Sequence, residues 1–450
     1  MSPTAPATTL TVSAYAVRAK LDGGGAVWSS TRTGHHVLVT EADDAALTSG
    51  ALEPLAAHGA LSTLVDAGLV VPSDWDERGA ARESYREDRD RTDELLLTIS
   101  PTVACNLRCG YCFEAEHHPR AMSRSDQDHL VAHVQRALKG RRSLSVTWFG
   151  GEPLLQAATV LSLSRRLMRV ASYSGATYSA AIITNGTLIT PELAADLRAA
   201  RVATAQITVD GTPDVHDLLR PTASGRGSFE ATLRGVAAAH AAGVGVELRV
   251  NIDRRNAPKV PALLDLLAER GLFVDLGFVR TEPPAVFGPE LVGAVERTYL
   301  EVGEFAQLEI DLLEHARSLG FRVGVGFDTA TSTPCAAVRS SHLAIEPGGR
   351  VKRCWADVAD DDRTIGSLGA LGLTVTAADD RWRDYEPFDT GCETCPFLPV
   401  CWGGCPKARL DGAMALATDP DERRRFKERY VCTPRKTNWS ELVRRGFLAG

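Results

Sequence analysis

The sequence predicts an α/β protein whose central part is an open, partial (β/α)6 barrel. Six apolar, β-branched runs recur between residues 95 and 280, each followed by a helical pattern, and such alternation implies a parallel sheet. The residues best suited to chemistry fall just after those runs, at the rim where parallel barrels build their sites. The chain of 450 residues exceeds what one simple core fills, so further domains are expected on either side.

Residues 1–75 read as a small separate unit. TLTVSAYAVRAKL, AVWSS and HHVLVT are short strands; EADDAALTSG and LEPLAAHGALSTLVDAGLVVP are helices running into a closing strand. That order is winged-helix-like. Residues 76–94 are dense in both signs of charge and read as a solvated helix or linker. The barrel is expected over 95–325, and a cysteine-rich domain with Gly/Pro turns over 326–450.

The barrel strands are LLLTISPT, LSVTWFGG, TYSAAIITNG, VATAQITVDG, VGVELRVNID and LFVDLGFVR. Helix starts are legible between them: Ser123 or Ser125 and Thr190 suit N-caps, with Pro191 in a first turn. The first rim loop carries Cys105, Cys109 and Cys112, the second Gly150-Gly151-Glu152-Pro153, the third Thr184-Asn185-Gly186, and the fourth Asp210-Gly211. The fifth strand ends in Asn251 and Asp253, the sixth at Arg280. Gly186 and Gly211 alone would be turn formers; their alignment on one rim points to a site. A long helical pattern spans 288–320.

The net charge of −7, with no Lys/Arg-rich tract, argues against a nucleic-acid partner. No run of about 18 apolar residues suggests a membrane span, and the N-terminal residues do not read as a signal peptide. A cytoplasmic location is expected, where thiols stay reduced. The ten cysteines then favour metal binding or catalysis over disulfides.

CNLRCGYC, residues 105–112, has the spacing CxxxCxxC. A [4Fe–4S] cube normally takes four cysteines, so three leave one iron open to a chelating ligand. A zinc ribbon would show paired CxxC motifs instead. The motif resembles the CxxxCxΦC signature of the radical S-adenosylmethionine (SAM) superfamily, with Tyr111 in the aromatic place, and Gly150-Gly151-Glu152-Pro153 resembles that family's SAM-binding segment. The resemblance implies that Cys105, Cys109 and Cys112 hold a SAM-binding cluster. Gly150, Gly151 and Glu152 would receive the SAM amino group, with Asn185 reaching the ribose or substrate and Arg220 pairing a carboxylate. Asp210 and Asn251 are further rim candidates, and His117 and His118 lie near the cluster loop.

A second constellation follows. Thirteen residues separate Cys335 from Gly349 and four separate Gly349 from Cys354; then come Cys392-x2-Cys395-x5-Cys401-x3-Cys405 and Cys432. This resembles the seven-cysteine SPASM extension of peptide-modifying radical SAM enzymes. It implies two auxiliary [4Fe–4S] clusters: Cys392, Cys395, Cys401 and Cys432 at the distal one, and Cys335, Cys354 and Cys405 at the proximal one. Two cubes want eight thiolates and seven remain, so one auxiliary site is expected to be open to a non-cysteine or substrate ligand.

The resemblance implies reductive cleavage of SAM to a 5′-deoxyadenosyl radical that takes hydrogen from a substrate carbon, with electrons from a donor such as flavodoxin or ferredoxin. The N-terminal unit resembles the PqqD-like recognition element of ribosomal-peptide maturases, which binds a leader peptide by strand addition. The expected function is oxidative modification or crosslinking of a precursor peptide through a thioether, C–C or C–O bond. Two alternatives share the cysteines. A sulfatase-maturating type would form formylglycine; the extra N-terminal unit and the lack of a cysteine just before Cys335 speak against it. A non-enzymatic iron–sulfur carrier would hold iron and cleave nothing.

Overall fold

A computed structural model of the chain describes residues 9–112, 119–281, 298–323, 333–389, 391–411 and 419–448. Its N-terminal part contains strands β1 (Leu10–Val12), β2 (Ala16–Lys20), β3 (Ala26–Ser30) and β4 (His36–Val39), helices α1 (Glu41–Ser49), α2 (Glu53–Ala57) and α3 (Ala60–Asp66), and strand β5 (Val70–Pro72). β2, β3 and β4 form an antiparallel sheet in that order, and β1 pairs with β5. The element order is the one expected. A core of Trp28, Leu47, Leu55, Leu64 and Leu69 joins the sheet to the helices. The Arg18 guanidinium and the Trp28 indole both donate to the buried Asp44.

The charged stretch 76–94 is largely helical, as α4 (Glu77–Asp90), but it is not simply solvated. Tyr85 is fully buried, edge-on to Phe388 at 5.7 Å and 5.5 Å from Trp402, and its hydroxyl donates to the Tyr385 carbonyl at 3.1 Å. α4 is therefore a strut between the N-terminal module and the cysteine-rich part. One aromatic side chain on a face otherwise rich in charge gave little local sign of that docking.

The six barrel strands are β6 (Glu94–Ile99), β7 (Ser143–Trp148), β8 (Thr177–Thr184), β9 (Val202–Thr208), β10 (Gly245–Ile252) and β11 (Asp275–Arg280). All run parallel and neighbour one another in chain order. Between them lie α5 (Arg124–Ala137), α6 (Ala157–Tyr173), α7 (Pro191–Ala199), α8 (Pro213–Leu219), α9 (Phe229–Ala241) and α10 (Val260–Glu269). Ser123 caps α5 in a capping box with Asp126, and Thr190 caps α7 with Pro191 in its first turn. Burial alternates along the strands: Leu144, Val146 and Trp148 of β7 enter the helix-covered core, while Ser143, Ser145 and Thr147 face the other way. That second face lines the lumen of an unclosed barrel.

The sheet does not stop where the barrel was expected to end. β12 (His342–Ile345) pairs in parallel with β6, and β13 (Arg350–Lys352), β14 (Gly366–Gly369) and β15 (Gly372–Val375) follow antiparallel, giving one sheet of ten strands. The cysteine-rich part thus grows from the edge of β6, the strand that precedes the first cysteine loop. Of the helical pattern 288–320, the described portion is α11 (Val302–Ser318). It packs against the C-terminal α13 (Arg435–Arg444), where Glu309 accepts from Arg435 at 2.9 Å and Asn438 donates to the Ala306 carbonyl at 3.0 Å. α12 (Pro420–Tyr430) leads into it.

Candidate active site

The first cysteine loop is held by backbone on both sides. Arg108 N–H donates to the Pro221 carbonyl at 2.7 Å, Gly110 N–H to Leu219 at 3.2 Å, and Ala223 N–H to Asn106 at 2.9 Å. The loop after β6 is thereby zipped to the segment after α8. On the other side, Glu152 N–H donates to the Ala104 carbonyl at 2.8 Å and Gly151 N–H to Thr102 at 3.3 Å. This contact explains the two glycines. A Cβ on Gly150 would stand 2.3 Å from the Thr102 carbonyl, and one on Gly151 2.3 Å from that of Ala104. Gly150 also has φ of +118°, a conformation L side chains avoid. The glycines let the second rim loop press against the first.

Glu152 is fully buried. Its carboxylate accepts from Leu154 N–H at 2.9 Å, the Thr184 hydroxyl at 2.7 Å and Asn185 N–H at 2.8 Å. Burial pushes its pKa up, and those three donors oppose the rise. It therefore fastens the third rim loop to the second and fills three of about four acceptor positions with the chain's own groups. Asn185 is equally engaged: its amide donates to Asn106 at 2.8 Å, and its oxygen accepts from Thr187 N–H at 3.0 Å and the Thr187 hydroxyl at 2.7 Å. Asn106, passed over in the sequence, ties the cysteine loop to this rim by donating to Thr187 at 2.9 Å.

Tyr111 is brought together with Arg220, Asp210 and Asn251. Its hydroxyl donates to Asp210 and accepts from Arg220, and the Asn251 side chain reaches it at 3.4 Å. Arg220 and Asp210 lie 3.5 Å apart, both buried. Burial alone would lower the Arg220 pKa; Tyr111, Cys109 and Asp210 outweigh it and keep the guanidinium charged. The carboxylate that Arg220 pairs in this structure is thus Asp210, from its own chain, a partner the sequence does not show as such. His216 sits behind, accepting from Asp210 N–H at 3.3 Å and facing the Ser228 hydroxyl at 3.0 Å. Asn256 donates to the carbonyls of Asp210 and Asn251, each at 2.7 Å. Asp253 pairs with Arg255 at 2.9 Å rather than joining the group. Arg280 donates to the Leu300 carbonyl at 3.2 Å. His117 and His118 lie outside the described residues.

None of the ten cysteines is in a disulfide. Electrostatic interaction links Cys105 with Cys109, Cys354 with Cys335 and Cys405, and Cys401 with Cys432, Cys392 and Cys395. Burial, with smaller contributions from Glu152 and Cys109, pushes the Cys105 thiol up to about 11. Cys354 is raised by burial, then by Asp357, Cys335 and Cys405. Cys401 is pushed up to about 12 by burial and by Cys432, Cys392 and Cys395. Lys427 donates to the Cys392 sulfur at 3.5 Å. Thiols whose pKa is raised in this way ionise when a metal takes their charge, so the donor chemistry fits iron–sulfur clusters. Among the described residues, no three His, Cys, Asp or Glu side chains converge closely enough for a single metal ion; a four-iron cube spreads its ligands over a larger body.

The radical SAM superfamily signature matches residues 99–267, the stretch that holds the cysteine loop and the glycine-rich rim. The chain carries a radical SAM domain. It is 27% identical over 345 residues to a serine-type anaerobic sulfatase-maturating enzyme of Klebsiella aerogenes, covering 71% of this chain and 80% of that one. It is 27% identical over 347 residues to the mycofactocin maturase of Mycobacterium tuberculosis, covering 73% and 82%. Among solved structures, anSMEcpe with bound AdoMet and the Kp18Cys peptide shares the fold with a TM-score of 0.60 at 19% identity, over 78% of this chain and 98% of that chain. Streptococcus suis SuiB bound to its precursor peptide SuiA does so with a TM-score of 0.51 at 14% identity, over 91% and 98%. The protein is a radical SAM enzyme. The radical SAM domain implies a [4Fe–4S] cluster and SAM. No described helix is long and apolar enough to cross a membrane.

One contact at the mouth joins the radical SAM domain to the cysteine-rich part. Phe149, beside the glycines, stacks on Trp355, the residue after Cys354, at 5.7 Å. Val103 of the cysteine loop packs there with Val358 and Ala359. Sequence reasoning missed this cluster because its members come from three distant segments.

Proposed function

We propose that this radical SAM enzyme is a maturase that oxidatively modifies or crosslinks a ribosomally made precursor peptide. The observation that carries the reading is the module of residues 9–72. β2 is covered by α13, where Val17 and Ala19 pack with Trp439 and Val443. β4 is the other edge of the sheet: His36 at its start meets Trp439 of α13 at 5.6 Å, Leu38 is 71% exposed, and among the described residues no strand pairs with its outer side. An exposed edge accepts an added strand through backbone hydrogen bonds, and a leader peptide is the strand it suits.

Cys105, Cys109 and Cys112 hold the SAM-binding cluster, and Tyr111, Gly150, Gly151, Glu152, Asn185 and Arg220 shape the SAM pocket. Cys392, Cys395, Cys401 and Cys432 hold a distal auxiliary cluster; Cys335, Cys354 and Cys405 hold a proximal one with an open position. The bound, reduced cluster and SAM supply one-electron chemistry that removes a hydrogen atom from a substrate carbon. The chain's part is to fix the rim loops, keep Arg220 charged beside Asp210, and shield the reaction from water. A flavodoxin or ferredoxin supplies electrons.

The match to 80% of the Klebsiella sulfatase-maturating enzyme keeps formylglycine formation as a second reading. Against it stand the N-terminal module and the lack of a cysteine just before Cys335. The test uses anaerobically reconstituted enzyme, reductant and SAM, with and without a synthetic copy of each short peptide encoded by a reading frame flanking the gene. Peptide-dependent 5′-deoxyadenosine, absent in Cys112→Ala, and a hydrogen-depleted peptide without a carbonyl support the crosslinking reading. A product that reacts with a hydrazide is an aldehyde and supports the sulfatase-maturating one. Iron without SAM cleavage under any peptide refutes both.

A further inference from the structure

Besides Asn251, the lumen face of β10 carries groups that the site above does not use. Val246, Leu248, Val250 and Ile252 are buried in the core, while Glu247, Arg249 and Asn251 are half-buried on the other face. Gln206 of β9 stands opposite Glu247 in register and donates to it at 3.1 Å. Arg249 donates through Nε to Asn251 Oδ1 at 2.7 Å and through Nη1 to Gln206 Oε1 at 3.5 Å. Among the described residues, no carboxylate lies within the 4.0 Å ion-pair distance of Arg249. Glu247, two positions away on the same face, is engaged by Gln206 instead. Arg220, by contrast, has Asp210 at 3.5 Å.

The two arginines therefore differ. One is matched by the chain itself; the other faces the lumen with, among the described residues, only neutral amide oxygens against it. A guanidinium in a half-enclosed space loses hydration and recovers it best from a bidentate anion. Asn251 touches Tyr111 at the rim, and Arg249 lies two residues, roughly 7 Å, further along the strand into the lumen. We infer that Arg249 is the receptor for a carboxylate of the peptide substrate, either an Asp or Glu side chain or the C-terminus, entering the lumen along β9 and β10. The inference rests on the maturase reading for the identity of the peptide. SAM carries a carboxylate too, and the test separates the two sources.

The experiment uses reconstituted wild-type enzyme, Arg249→Gln and Arg249→Lys. The probe is a fluorescein-labelled synthetic copy of each short peptide encoded by a reading frame flanking the gene, with single Asp→Asn, Glu→Gln and C-terminal amide versions. Peptide affinity is read by anisotropy, SAM affinity by equilibrium dialysis, and turnover as kcat and KM. Arg249→Gln is expected to weaken peptide binding about tenfold to a hundredfold, as loss of a charged hydrogen-bonded pair does, with partial recovery in Arg249→Lys. One acid-to-amide peptide should lose the same factor against wild type and nothing further against Arg249→Gln. Losses that add, or a fall in kcat at unchanged KM, would make Arg249 a mere support for Asn251 and overturn the inference. Weakened SAM binding with intact peptide binding would assign the carboxylate to SAM and overturn it as well. Equal binding of acid and amide peptides refutes the receptor whatever the products. Acid-dependent binding through Arg249 with no change in peptide mass refutes the maturase reading and leaves the receptor standing.

Discussion

The Arg220 guanidinium lies 3.5 Å from the Asp210 carboxylate, and the Tyr111 hydroxyl bonds to both. The three come from the loop after β6, the end of β9 and the end of α8, so one buried charge pair locks three rim segments around the cysteine loop. Truncating one partner leaves the other buried and unpaired. Arg220→Met is expected to cost about 3–5 kcal/mol, and adding Asp210→Asn should return part of that loss. Urea unfolding of the single and double variants under anaerobic conditions checks it; strictly additive losses would mean the two residues act independently.

Gly150→Ala and Gly151→Ala should each disturb the cysteine loop more than the fold as a whole. The new methyl meets a backbone carbonyl at 2.3 Å in both cases, and overpacking of this kind costs about 1–3 kcal/mol. Gly150 adds a left-handed backbone penalty of roughly 1–2 kcal/mol. Iron content after reconstitution and 5′-deoxyadenosine yield should fall further in Gly150→Ala than in Gly151→Ala.

Tyr85→Ala should release α4 from the cysteine-rich part. Removing a fully buried aromatic side chain costs about 3–5 kcal/mol. Hydrogen exchange of residues 77–90 is the direct measurement, and protection there should drop while the barrel strands β7 to β10 keep theirs. Unchanged protection over 77–90 would show that the salt link between Arg86 and Glu386, at 2.6 Å, and its neighbours hold the helix without the tyrosine.

Stability should fall in mild acid. His216 and His342 are buried, and burial first, then nearby arginines, lowers both pKa values to about 3 from 6.5. The unfolded chain takes up these protons below pH 6.5 and the folded chain does not until about pH 3. Their contribution is therefore complete above pH 6.5 and declines as pH falls, by up to about 1.4 kcal/mol per pH unit for each histidine. Denaturant midpoints between about pH 5 and 7 should drop with acid. His342→Gln, which can keep a partner for Thr98 at the β6–β12 seam, should flatten the slope.

The three cysteine sets should load independently. About 12 irons are expected in the full protein if each set holds a cube, with about four lost in each of Cys112→Ala, Cys354→Ala and Cys401→Ala. Only the first should abolish SAM cleavage outright; the other two should block peptide product first. Loss of all iron in any single variant, with folding intact, would contradict separate clusters.

The barrel strands and most of their helices were legible because their signals are local. The alternation of Val246, Leu248 and Val250 with Glu247, Arg249 and Asn251, the caps at Ser123 and Thr190, and the spacing of Cys105, Cys109 and Cys112 each fit within one short window of chain. The partners of those residues were not legible. Nothing near Arg220 in the chain shows that Asp210 and Tyr111 will neutralise it, nor near Arg249 that no described carboxylate will. Asn106 looks like any loop asparagine until the third rim loop arrives beside it. The pairing of β12 with β6 joins His342 to Thr98 across 244 positions, and Tyr85 finds Tyr385 across 300. Such contacts depend on which surfaces remain to be covered once the strands and helices have packed, a property of the assembled chain that no local pattern of residues carries.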